Sequence, residues 1–142
     1  HATRFARFDE QWDELQHWVR DGKVVDDLSG ERDLRPWPST LGGPTLALAG
    51  WRGAWVERAA TEASTWIASA MYNDDDVLAD AVARYRAAGG ERAIVGSIQI
   101  ADDPAETIDR LLHYDELGFD DAVVFDLRPS EQRLATIREG LA

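Results

Sequence analysis

Apolar positions recur along the chain in two rhythms, and the switches between them divide it into segments. Phe5, Phe8, Trp12, Leu15 and Val19 return every three or four residues and predict a helix over 3–20, with Trp18 widening its buried stripe. Thr3 is a candidate cap, and Gly22 lies just past the end. Residues 23–40 lose the rhythm. Ser29-Gly30 signals a turn, Pro36 and Pro38 forbid a helix, and only Val24-Val25 suggests a short extended piece. Trp37, between the prolines, is expected to cover a core edge or a ligand.

From Leu41 the pattern becomes regular. TLALA (45–49) has the length of a strand buried on both faces. Gly50 and Gly53 bracket a turn, and Trp55, Val56, Ala59, Ala60 and Ala63 share a helix face. TWIAS (65–69) is the next strand. Asn73 or Asp74 then caps a helix carrying Leu78, Ala81, Val82 and Tyr85 inward to Gly89-Gly90. AIVGSIQI (93–100) is a third strand, with Gly96 marking a bulge or a close backbone approach. Asp103, Pro104 and Glu106 form a helix start. Ile108, Leu111, Leu112 and Asp115 define the faces of that helix, and Gly118 ends it. AVVF (122–125) is a fourth strand, and Ser130 caps a last helix through Leu134, Ile137 and Leu141. Residues 1–40 thus read as a helix and long loop, and residues 41–142 as four strand–helix units. Strands spaced by helices are expected to lie parallel, giving an α/β fold.

Composition narrows the partners. The chain has 142 residues, 44% of them apolar, enough for one domain with a sizeable core. Its net charge of -12 opposes a phosphate backbone and an anionic membrane, so neither nucleic acid nor membrane is an expected partner. No apolar run has the length of a bilayer span and no signal-peptide pattern opens the chain. Cysteine is absent, which excludes disulfides and thiolate metal sites. Asp74, Asp75 and Asp76 lack the alternation and glycine of a calcium loop, so they read as helix-end charge and no metal site is expected.

Segments of this chain resemble, in order, the C-terminal half of the luciferase-like flavin monooxygenase and coenzyme F420-dependent oxidoreductase superfamily. GGPTLALAG looks like that family's entry to barrel strand five, and WRGAWVERAATEASTWIAS like its following helix and strand six. ARYRAAGGERAIVGSIQIADDPAETIDRLLHYDELGFDDAVVFDL resembles strands seven and eight with the helix between them, and RFARFDEQWDELQHWV resembles the helix after strand four. Two details depart: Ser64 and Thr65 stand where Asp-Gly is usual, and Gly50-Trp51 where Gly-Gly is frequent.

The resemblance implies the C-terminal half of a TIM (β/α)8 barrel, with four parallel strands, barrel strands 5–8, alternating with helices. It implies a parent enzyme that uses FMN or coenzyme F420 to oxidise or reduce a small organic substrate. Half a barrel leaves two open edges and a bare inner face. The chain starts at His1 rather than Met, and three origins stay open. It is a piece of a longer protein, a half-barrel that pairs with its own copy as a homodimer, or one that pairs with a separate N-terminal half-barrel. The expected location is cytoplasmic.

Barrel sites lie where strands end. Gly50, Trp51, Arg52 and Gly53 are the cofactor-phosphate candidates. The glycines admit backbone N–H groups, a helix begins there, and arginine adds charge. The plainer alternative is a tight turn with a solvent-facing arginine. Ser69 and Arg128 are substrate-binding candidates, although Arg128 can equally pair with Asp126 or Glu131. No catalytic residue is identified. His1, His17 and His113 do not cluster, and the latter two are expected on helices away from the strand ends. A non-catalytic half-barrel, working as a dimer or binding module without cofactor, is the competing reading.

Overall fold

The computed structural model describes residues 2–26, 30–33, 45–50 and 53–142. The chain divides into two compact units, His1–Thr45 and Leu46–Ala142.

In the first unit, α1 spans Ala2–Asp21. It starts ahead of Thr3, which therefore lies within the helix instead of capping it. Gly22 takes a left-handed φ of 70°. Its N–H reaches the Trp18 carbonyl at 2.8 Å and closes the last turn. Phe8 and Trp12, one turn apart, stack with ring centroids 6.2 Å apart. Strands β1 (Lys23–Asp26) and β2 (Gly30–Asp33) pair antiparallel, from Lys23 opposite Asp33 to Asp26 opposite Gly30. The sequence promised only a short extended piece here. Backbone N–H and C=O groups pair whatever side chains they carry, so a strand as polar as Gly-Glu-Arg-Asp sends no apolar signal. The expected loop from 34 onward, with Pro36, Trp37 and Pro38, lies outside the described residues.

The second unit alternates β3 (Ala47–Ala49), α2 (Trp55–Glu62), β4 (Thr65–Ser69), α3 (Asp75–Ala87), β5 (Ala93–Gln99), α4 (Pro104–Glu116), β6 (Asp121–Phe125) and α5 (Glu131–Gly140). The strands form one sheet in the order β3-β4-β5-β6, and every pairing is parallel. This is the expected α/β arrangement of four parallel strands and alternating helices. Caps set two of the helix starts as anticipated. The Asp103 carboxylate accepts from the Ala105 N–H at 3.0 Å, and the Ser130 hydroxyl from the Arg133 N–H at 3.3 Å. Glu106 does not reach back to the cap; it lies 3.4 Å from Arg110, one turn on.

The core sits between the sheet and its helices. Leu48, Trp66, Val95 and Ile98 are buried from the strands, and Val56, Ala59, Leu78, Val82 and Tyr85 from α2 and α3. Trp66 anchors it, with Tyr85 and Phe119 rings 5.4 and 5.7 Å from its own.

Several burial expectations are corrected. β3 is covered on one face only, because Ala47 and Ala49 are exposed on either side of buried Leu48. An apolar run specifies a strand, but a second covering layer must come from elsewhere. Ala63 leaves the α2 helix and adopts extended backbone at its C-terminal end. Leu112, Leu134 and Leu141 are exposed, while Thr107, Tyr114 and Ile137 are buried. The three leucines line an open apolar groove beside β6, an edge strand of this sheet.

β5 carries a bulge. Its register with β6 passes from Val95 opposite Ala122 to Ile98 opposite Val124, so two residues of β5 face Val123 alone. The left-handed backbone falls on Ser97, with φ 63°, rather than on Gly96.

Candidate functional site at the carboxyl rim of the sheet

Parallel strands put all their strand-to-helix turns on one rim, and the described candidates Gly50, Gly53, Ser69 and Arg128 fall on or beside those turns. At the β3–α2 turn, the Gly50 N–H donates to the Ile67 carbonyl at 3.3 Å. The Gly50 carbonyl accepts from the Trp66 indole N–H at 2.5 Å. A Cβ on Gly50 would meet the Trp55 Cβ at 3.1 Å, so the turn passes close to the helix that follows. Gly53 takes φ 59°, and its carbonyl accepts from an Arg84 Nη2 at 2.5 Å. Trp51 and Arg52 lie outside the described residues.

Helix α2 begins at Trp55 behind Ala54, which offers no side-chain cap. Glu57 stands in the first turn of α2. Its carboxylate takes a bidentate pair from Arg84, Nε at 2.7 Å and Nη2 at 2.8 Å. Those bonds, together with its own backbone N–H, hold Glu57 below the usual carboxylate range. The Arg84 charge offsets that of Glu57 at the helix end.

At the end of β4, the Ser69 carbonyl accepts from the Asn73 amide at 2.7 Å, which folds the loop back on the strand. The Ser69 hydroxyl oxygen is buried and has no hydrogen-bond partner among the described residues. Asp74 occupies the cap position of α3, but its side chain makes no cap bond.

At the ends of β5 and β6, Arg128 is committed. Its guanidinium bonds the Asp102 carboxylate, and its backbone N–H bonds Asp126 at 2.8 Å. The sequence reading named Asp126 and Glu131 as rival side-chain partners and missed Asp102, which lies 26 residues away. Arg133, from the first turn of α5, holds both Asp126 oxygens at 2.5 and 2.7 Å and also bonds the Arg128 carbonyl. The Arg133 guanidinium, with the Arg128 N–H, keeps Asp126 below the usual carboxylate value of 3.8. A carboxylate depressed in the folded state contributes stability that is complete above 3.8 and disappears as pH falls through its folded value. Urea midpoints measured from neutral pH down to acid should fall for the wild-type chain below the usual carboxylate range. Asp126→Asn should start lower at neutral pH and fall less steeply there; parallel curves for the two proteins would remove Asp126 from the linkage.

A polar groove of about 590 Å³ opens between the β4–α3 loop, the end of β5 and α4, with Asn73, Asp74, Gln99, Arg110 and Tyr114 on its walls. His113 belongs to its surroundings, because its Nε2 lies 3.1 Å from the Asp75 carboxylate at the start of α3. His113 is on α4, as expected, and its contact is with a helix start rather than a strand end. Helix α4 brings it there, and no local pattern announces such a crossing.

Among the described residues no three His, Cys, Asp or Glu side chains gather as a metal-binding group. Among them, too, no helix is long and apolar enough to cross a membrane. Compared with known protein families and characterised proteins, the chain matches no family model and no curated protein.

Proposed function

We propose that this chain is the C-terminal half of a TIM barrel from a luciferase-like, FMN- or coenzyme F420-dependent oxidoreductase that acts on a small organic substrate. The observation that carries the reading is the buried Ser69 hydroxyl, without a partner among the described residues, on the carboxyl rim of a parallel sheet, the edge where barrel enzymes bind ligands. The start of α2 beside Gly50 and Gly53 suits a phosphate, since the positive end of a helix favours an anion. In this reading Gly50, Trp51, Arg52 and Gly53 hold the cofactor phosphate. Ser69 donates a hydrogen bond to the substrate. Arg128, with its guanidinium largely exposed, contacts the substrate from the β6–α5 turn. The cofactor would supply the hydride or oxygen chemistry when bound, while these residues bind and orient.

A flavin or deazaflavin absorbance band surviving gel filtration supports the proposal. Titration of Arg52→Ala with FMN should show affinity weakened by roughly tenfold, the scale of a charge-assisted hydrogen bond. Unchanged affinity would take Arg52 out of the site.

A second reading, a half-barrel that acts as a homodimer or binding module, is favoured by one observation. Ala47, Ala49 and Val123 are exposed on the sheet face away from the helices, and β3 and β6 are both edge strands. A colourless protein that ignores both cofactors, with twice the chain mass by light scattering, supports it. Pairing with a separate N-terminal half-barrel would instead leave the isolated chain monomeric.

A further inference from the structure

Arg84 is carried by the last turn of α3 but does most of its bonding on another element. Its Nη2 donates to the Gly53 carbonyl at 2.5 Å, across 31 residues of sequence. Its Nε and Nη2 donate to the two Glu57 carboxylate oxygens at 2.7 and 2.8 Å. Asp80, one turn earlier on α3, stands 3.6 Å from Nη1. A planar guanidinium engaged at Nε, Nη1 and Nη2 is held in orientation, which a lysine ammonium could not reproduce.

Both distant targets belong to the passage from β3 into α2. Gly53 takes left-handed backbone, and the peptide that joins it to Ala54 is a rigid plane. Its C=O and N–H point opposite ways. The bond that fixes the Gly53 carbonyl on Arg84 therefore also fixes the Ala54 N–H, directed away from Arg84. Glu57 is the third residue of α2. A carboxylate in the first turn answers the positive end of a helix and repels a second anion there. The paired guanidinium cancels that charge.

We propose that Arg84 is a positioning residue for the cofactor phosphate: it fixes the Gly53–Ala54 peptide and cancels the Glu57 charge, which leaves the positive end of α2 to an external anion. Arg84 acts through these two residues and need not touch the phosphate. The inference rests on the reading of Gly50, Trp51, Arg52 and Gly53 as the phosphate turn, and adds a helix that the turn's own sequence does not contain.

The test compares ligands with and without a phosphate. The whole chain is titrated with FMN and with coenzyme F420, and in parallel with riboflavin and the phosphate-free deazaflavin core of F420. Wild type should prefer the phosphorylated form of its cofactor. Arg84→Met should weaken that form by roughly tenfold, the scale of a lost charge-assisted pairing, and leave the phosphate-free form unchanged. Adding Glu57→Gln to Arg84→Met should recover most of the loss, because the unmasked carboxylate is then gone. A purely structural role would weaken both ligands alike and would not respond to Glu57→Gln. Matching thermal melts check folding, and Arg84→Lys, which keeps the charge without the fork, should lose part of the preference if Arg84→Met does not fold. A wild-type chain that shows no preference for phosphate overturns the phosphate-turn reading and this inference with it. Undiminished preference in the Arg84 variants, equal loss of both ligands, or no rescue by Glu57→Gln overturns this inference alone.

Discussion

Replacing Trp66 with alanine is expected to cost about 3–5 kcal/mol of folding stability, the range for deleting a large aromatic side chain from a core. Trp66 is fully buried, lies against Tyr85 of α3 and Phe119 before β6, and ties the Gly50 carbonyl with its indole N–H at 2.5 Å. The substitution removes three things together: apolar burial, two aromatic contacts and the hydrogen bond that holds the β3–α2 turn. Domain stabilities run at roughly 5–15 kcal/mol, so one side chain here carries a large share. Urea denaturation followed by circular dichroism reads the loss. Trp66→Phe separates the contributions, since it keeps a ring but abandons the bond to Gly50, and should cost less than the alanine change. A Trp66→Ala loss below about 1 kcal/mol would mean that the aromatic cluster is not the anchor of this core.

The second large effect is expected at Gly90. A Cβ there would lie 2.3 Å from Tyr85 Cζ and 2.4 Å from both Cε atoms. Those atoms belong to a rigid ring, not to the tip of a flexible chain. Tyr85 is itself fully buried, and its hydroxyl donates to the Arg92 carbonyl at 3.0 Å. Moving the ring away from a methyl group would break this bond or disturb its packing on Trp66. Gly90→Ala should therefore cost about 1–3 kcal/mol, the usual penalty for overpacking a filled core. Combining it with Tyr85→Leu tests the cause, because the double variant should lose less than the sum of the single changes. Strict additivity in urea denaturation would show that the ring is not what the methyl meets. Gly140 gives a contrast. Its added Cβ would meet Ile108 Cδ1 at 2.4 Å, the far end of a flexible side chain that can turn aside.

Both positions show what a sequence reveals of packing. Tyr85 could be placed on the inner face of its helix from spacing alone, and Gly90 could be read as a helix stop. That the glycine also makes room for the tyrosine ring depends on how the chain folds back after α3. Trp66 was legible as a strand residue. Its bond to Gly50 was not, since the two are 16 residues apart and meet only because β3 and β4 pair in parallel. The rim candidates divide in the same way. Gly50, Gly53 and Ser69 fall on strand-to-helix turns, as spacing required. Arg128 falls on its turn too, but its partner Asp102 comes from the β5–α4 turn, 26 residues away.

By itself the sequence determined the order of elements from Leu46 onward, the caps at Asp103 and Ser130, and the parallel run of the strands. Each of these follows from residues within a turn or two of each other, or from the length of a connection, so periodicity and spacing suffice. Tertiary structure alone decided that one face of β3 is bare at Ala47 and Ala49, that the left-handed residue of the β5 bulge is Ser97 rather than Gly96, that β1 and β2 pair, and that Asn73, Asp74 and Tyr114 line one groove. Those outcomes depend on which distant surfaces meet. Burial and pairing energies belong to such meetings and not to any one stretch of chain.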